Sequence, residues 1–274
     1  MNHLITVIVF IAITIQGYSQ LRFDYPVTEI EAVEYTVTYS HTYQRDSLAD
    51  FKGQSDMYLF LGKKTSKFLS SELYSADTIM RNIDNSAEFQ SFLLDRNKPF
   101  PKLQYRIWKN YPQEGKLTYI EHIPSQTYKY TESLEPFDWE LLQETDTIQG
   151  YPSQKATCNY GGRRWVAWFT PEIAYSDGPY KFNGLPGLII KLYDSRHHYE
   201  FEMVKIEKPD NELMIDITEK EYLETTKQKF FRAKDAFWSN IRSRAREAGV
   251  DKKAQQHAVK EASRRNNPIE LKLE

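Results

Sequence analysis

Val33-Glu34-Tyr35-Thr36-Val37-Thr38-Tyr39-Ser40-His41-Thr42-Tyr43-Gln44 alternates without a break. Val33, Tyr35, Val37, Tyr39, His41 and Tyr43 fall on one side. Glu34, Thr36, Thr38, Ser40, Thr42 and Gln44 fall on the other. Successive side chains of a strand point to opposite faces. A period of two with one apolar face therefore predicts a half-buried antiparallel strand.

The segments that follow repeat this grammar. Met57 to Leu61 and Lys67 to Leu69 flank Gly62-Lys63-Lys64, a hairpin turn. Tyr105 to Lys109 and Leu117 to Ile123 flank Pro112-Gln113-Glu114-Gly115, where both turn-forming residue types are present. Tyr128–Thr131, Glu140–Glu144, Gln154–Asn159, Arg164–Phe169, Leu188–Tyr193 and Tyr199–Ile206 continue the series. One short helix, about Ala87 to Asp95, interrupts it. Past Pro209-Asp210-Asn211 the pattern changes. Glu219 to Ala248 has apolar residues at helical spacing (Tyr222, Phe230, Ala233, Phe237, Ile241, Ala245) and ends at Gly249. Asp251 is placed to cap a second helix, from Lys252 to about Arg265. The expectation is an α+β fold: a curved antiparallel β-sheet, a meander or open barrel over 30–208, with a C-terminal pair of helices packed on it over 219–265. Residues 20–274 form one domain on this reading.

Residues Leu4 to Ile15 are almost wholly apolar. At about 12 residues they are too short for a membrane span of roughly 20, and of the right length for a secretion signal. Gly17 and Ser19 fit a cleavage site before Gln20, so 1–19 reads as a signal peptide and the protein as periplasmic. No later segment is long and apolar enough to span a bilayer, and the residue directly after the expected cleavage site is Gln20, not a cysteine that could carry a lipid anchor. The formal charge of −2 argues against a general nucleic-acid binder. The one cysteine, Cys158, has no partner for an internal disulfide and reads as a buried strand residue.

Glycine and aromatic residues are dense between Cys158 and Ile189. Cys158-Asn159-Tyr160-Gly161-Gly162-Arg163-Arg164-Trp165 is followed by Ala167-Trp168-Phe169-Thr170-Pro171-Glu172-Ile173, by Asp177-Gly178-Pro179-Tyr180-Lys181-Phe182-Asn183, and by Gly184-Leu185-Pro186-Gly187-Leu188-Ile189. Gly161-Gly162 supplies the positive φ angles of a tight hairpin. Gly184, Pro186 and Gly187 exclude helix and predict a turn or bulge that delivers Leu188-Ile189-Ile190 into a buried strand. In order and composition the block resembles the GLPGLI family, and the resemblance extends to Asn267-Pro268-Ile269-Glu270. It implies an exported protein and loosely implies a link to outer-membrane transport; it brings no settled activity.

Two readings of the block stand side by side. It is a structural corner, or it is a site. As a site, Trp168, Tyr175, Tyr180 and Phe182 line an apolar cleft, and Arg163, Arg164 and Lys181 hold a polar or anionic group at its mouth. No catalytic residue and no metal ligand is nominated. The chain lacks Gly-x-Ser-x-Gly, His-Glu-x-x-His and Cys-x-x-Cys patterns. His197-His198 reads as a hairpin end, and no cofactor is implied. Arg242, Arg246, Lys252, Lys253, Arg264 and Arg265 make the helical tail locally basic, either as a solvated face or as a contact for an anionic partner. The functional expectation is a non-enzymatic binding, carrier or accessory protein, with an apolar or peptide ligand or an outer-membrane protein partner, serving outer-membrane transport or envelope upkeep. The competing class is a periplasmic hydrolase whose active site forms no sequence motif.

Overall fold

The computed structural model of the protein describes residues 25–273, apart from 96, 100, 125 and 136. The expected signal, 1–19, lies outside them. The alternating stretch forms β2 (Tyr35–Tyr43), and two meanders meet on it. On one side the chain runs through β3 (Gly53–Leu61), β4 (Ser66–Ser70), β5 (Tyr105–Lys109), β6 (Lys116–Ile123) and β7 (Gln126–Ser133). On the other lie β12 (Tyr199–Glu207), β11 (Leu188–Asp194), β10 (Arg163–Thr170), β9 (Tyr151–Tyr160) and β8 (Glu140–Ile148). All of these pairings are antiparallel; β14 (Leu223–Glu224) adds in parallel to β7. β1 (Val27–Ala32) and β13 (Met214–Thr218) make a separate two-stranded ribbon.

The order of strands forces the sheet to curl. Ten inter-strand steps separate β7 from β8. At roughly 4.8 Å each a flat sheet would hold them about 48 Å apart. Residues 134–139 join them directly, and a link of that length reaches at most about 25 Å. The sheet is open and not closed into a barrel. Phe137 of the link stacks on Phe182, ring centroids 4.7 Å apart, and the Trp139 indole donates to the Asn183 carbonyl at 2.8 Å. The face on which they pack is the inside.

That inner face carries the larger core: Val37, Tyr39, Leu59, Phe68, Ile107, Trp165 and Phe201 are all inaccessible to solvent. The outer face buries Phe60, Leu69, Trp108 and Ile120 under Ile215 and Ile217 of β13 and Leu73 of the first helix. Val33 belongs to this second core. The regular alternation therefore starts at Tyr35, because the chain bends at Val33-Glu34 between β1 and β2.

The expected helix near Ala87 is present as α2 (Ser86–Leu94). Before it lies α1 (Ser71–Arg81), which the sequence reading omitted; the Ser70 hydroxyl accepts from the Leu73 amide at 3.2 Å and caps it. The C-terminal region departs from the expected pair of helices. Residues 219–226 are not helical, and the helices are three: α3 (Lys227–Ser239), α4 (Ile241–Glu247) and α5 (Lys252–Ser263). β-branched Thr225-Thr226 favours extended backbone, and Thr226 Oγ1 caps α3 by accepting from the Lys229 amide. Asn240 ends α3, its side chain donating to the Ala236 carbonyl at 2.9 Å. Asp251 caps α5 as expected. Ile241 and Ala245 face the core, while Arg242, Arg246, Lys252 and Lys253 are exposed. Arg265 covers the Trp238 ring at 3.9 Å, and Arg264 pairs with Glu261 at 2.8 Å.

Candidate functional site

Gly161 and Gly162 close the β9–β10 hairpin with φ of 58° and 75°. The chain then leaves β10 at Thr170 and returns as β11 at Leu188. At the base of this excursion Gly187 has φ of 143°, and a Cβ there would lie 2.1 Å from the Thr170 carbonyl oxygen. Only glycine permits that approach. It lets the Leu188 amide reach the Ile173 carbonyl (3.1 Å) and the Ile189 amide reach the Asp177 carbonyl (2.9 Å). Asp177 is pinned in turn by Lys109 and by the Ser66 hydroxyl at 2.6 Å; Lys109 also donates to the carbonyls of Gly178 (2.6 Å) and Phe182 (2.9 Å). The loop 171–187 is thus a braced insert.

The seven candidate site residues do not share one cleft. Four lie in the interior. Tyr180 is 1% exposed and meets Tyr105 edge-on at 5.5 Å; Phe182 packs on Trp165 at 4.8 Å. Arg163 pairs with Asp194 at 3.0 Å and donates to Asn267 Oδ1 (2.6 Å) and to the carbonyls of Pro268 (2.7 Å) and Ile269 (3.0 Å). Lys181 lies 2.6 Å from Glu132, 2.9 Å from Glu270 and 3.0 Å from the Tyr130 hydroxyl. Arg164 and Trp168 face away from that core on β10: Arg164 is exposed, 3.9 Å from Glu140, and Lys155 covers the Trp168 ring at 5.7 Å. Tyr175 alone reaches an open groove.

The sequence reading did not nominate Glu270, Glu132 or Lys227, yet they complete the buried network. The Tyr180 hydroxyl donates to Glu270 Oε1 at 2.7 Å. Lys227 Nζ lies 2.9 Å from Oε2, an ion contact outside hydrogen-bond alignment. Burial alone would raise the Glu270 pKa; Lys181 and Lys227 outweigh it and hold it at about 2. These groups come from β7, the 171–187 insert, α3 and the C-terminal tail, so no local spacing links them. The network balances its charges internally and fastens the tail to the Gly161-Gly162 hairpin, where the Gly161 carbonyl accepts from the Leu271 amide at 2.7 Å.

The groove lies where one end of the sheet gathers its loops. It has a volume of about 1270 Å³ and is formed by the β1–β2 bend, the start of the 171–187 insert, the β12–β13 turn, Lys63 and Tyr151. Tyr35 and Tyr175 meet edge to face at 5.8 Å, and the Tyr175 hydroxyl donates to Glu34 Oε2 at 2.5 Å. Burial and that carboxylate push the Tyr175 phenol above its ordinary pKa, so it stays protonated. Ile173 and Ile206 supply apolar floor and Lys208 lies over the Tyr35 ring at 5.5 Å. Both tyrosines are half-buried, and each presents an apolar ring with a polar tip. Among the described residues no group of three or more His, Cys, Asp or Glu is arranged to hold a metal ion, and no helix is long and apolar enough to cross a membrane. Cys158 is buried in the inner core. His197 and His198 lie in the turn between β11 and β12, His197 stacking on Tyr193 at 4.6 Å and His198 Nδ1 3.1 Å from the Asn267 amide nitrogen.

Truncation separates the two tyrosine environments. Tyr180→Ala is expected to cost about 3–5 kcal/mol, as buried aromatic deletions do. Tyr175→Ala should cost about 1–2 kcal/mol, within the range of ordinary substitutions. Equal losses in urea denaturation would show that Tyr175 is as much a core residue as Tyr180.

Residues 162–191 match the model of a family described as "Protein of unknown function (Porph_ging)". The matched segment runs from the hairpin through the braced insert into β11. No curated protein matches the chain. Among solved structures, PNGF-II in a C2 crystal form superposes with a TM-score of 0.52 at 15% identity, over 77% of this chain and 34% of that one. PNGF-II in a P21 form gives 0.50 at 14% identity, with the same coverage. This chain thus spans about a third of the PNGF-II chain, and at such identity the likeness concerns the fold alone.

Proposed function

We propose that the protein is an exported, periplasmic member of the GLPGLI family that binds a ligand without transforming it, acting as a carrier or accessory in outer-membrane transport or envelope upkeep. The observation that carries the reading is the groove bounded by Tyr35 and Tyr175, two half-buried rings mounted on a braced frame. A rigid scaffold presenting loops is the usual seat of binding residues. At about 1270 Å³ the groove exceeds the roughly 300–1,000 Å³ of small-molecule sites, which favours an extended ligand such as a peptide segment. The short apolar stretch Leu4–Ile15 supports export.

The test is native purification from an envelope fraction, with mass spectrometry of what accompanies the protein. A peptide or apolar molecule near equimolar in the wild type and lost from Tyr175→Ala is the expected result. A ligand retained by Tyr175→Ala, or an empty wild-type protein, overturns the groove as the binding site.

A further inference from the structure

We infer that the groove is built for a cationic side chain, so that its occupant is a peptide segment carrying lysine or arginine, and that Lys208 occupies the cation position when the groove is empty. The inference rests on the groove being the binding site. Its first support is charge. Five carboxylates and two ammonium groups line the groove. Glu207 is held by Lys205 at 2.6 Å. That leaves Glu34, Glu172, Asp210 and Glu212 against Lys63 and Lys208, an acidic balance that attracts a cation and repels an acidic chain.

The second support is the Tyr35 ring. Its edge-to-face partner, Tyr175, is fixed by the hydrogen bond to Glu34. The protein's own Lys208 ammonium lies 5.5 Å from the Tyr35 centroid, within the roughly 6 Å at which a ring face attracts a cation. The ring is therefore an acceptor already matched to an ammonium. Lys208 is exposed and lies beside Pro209 at the head of the β12–β13 turn, so its long side chain can swing out. An incoming lysine or arginine would take the same face of Tyr35, and its flanking apolar residues would lie on Ile173 and Ile206.

Competition gives a result of unusual sign. The probes are three end-blocked hexapeptides of alternating Ala-Lys, Ala-Gln and Ala-Glu, titrated by calorimetry and by following the Tyr35 and Tyr175 ring resonances. The Lys peptide should bind best, and more weakly as salt rises. Lys208→Ala should tighten it about two- to fivefold, the worth of one exposed cation–π contact. Tyr35→Leu should weaken it by a similar factor, and because Lys208→Ala removes only an exposed side chain, that arm does not depend on refolding. Unchanged or weaker binding by Lys208→Ala overturns the inference. Equal binding of all three peptides with shifts at Tyr175 also overturns it, while leaving the groove as a binding site. No ring shift with any peptide overturns both.

Discussion

Gly187→Val is expected to be among the most damaging single substitutions in this protein. The backbone at φ of 143° is one that residues with side chains rarely adopt, a strain of about 1–3 kcal/mol. The added Cβ would also stand 2.1 Å from the Thr170 carbonyl oxygen and 2.9 Å from Pro171 Cα. Those are backbone atoms of a neighbouring strand end and cannot swing aside. Overpacking of that kind adds roughly another 1–3 kcal/mol. Gly162→Val is the control. Its φ of 75° brings a comparable strain, but its Cβ would meet side-chain atoms of Lys272 and Leu271, at 3.0 and 3.3 Å, which can move. Urea denaturation should therefore place Gly187→Val clearly below Gly162→Val. Equal midpoints would mean that the close approach at Thr170 relaxes freely.

Glu270→Gln should cost about 3–5 kcal/mol, the usual penalty for removing one partner from a buried ion pair. The change keeps shape and removes charge, leaving Lys181 and Lys227 to share Glu132 at 2.6 and 3.4 Å. It should also alter the response to acid. Glu270 has a pKa of about 2 in the folded protein, against about 4.3 for an unperturbed glutamate. The unfolded chain takes up the proton first as pH falls, so the stability supplied by this carboxylate is complete above about pH 4.3 and disappears progressively towards pH 2. The wild type should lose stability over that interval more steeply than Glu270→Gln. Parallel curves for the two proteins would show that Glu270 titrates normally when folded.

The sheet was legible because its signal is local. Tyr39, His41 and Tyr43 fall on the buried side that alternation assigned to them, and His41, stacked on Phe201 at 3.9 Å, is kept neutral by burial, with its pKa near 3. Gly161-Gly162 and the turn from Pro112 to Gly115 marked their hairpins for the same reason. The first helix was hidden because among its residues only Leu73 is buried, which gives no apolar stripe to read. Residues 219–226 misled because Tyr222 extends the apolar period of α3 backwards, while the cap at Thr226 shows where the helix starts. The site was the least legible part. Tyr175, Tyr180 and Phe182 are near in sequence, but the insert turns between them and sends Tyr175 outward. Glu34 and Tyr35 read as ordinary strand residues in the sequence; what marks them is the bend beside Val33, a tertiary feature. Glu270 carries no local mark of its role, because its chemistry depends on Lys181, about ninety residues away.

The seam between β2 and β12 has a kinetic consequence. Every other pairing within the two meanders joins consecutive strands of the chain, but His41 and Glu200, which meet across this one, are 159 residues apart. Closing a loop of that length costs on the order of 4–5 kcal/mol of chain entropy before any contact repays it. Each half can zip its own hairpins early, yet until the seam closes both present an unpaired strand rich in Tyr, Val, Phe and Met. That interval is when the chain is most exposed to joining a strand from another molecule. Dilution, or a chaperone that covers those two edges, would protect the chain during that interval.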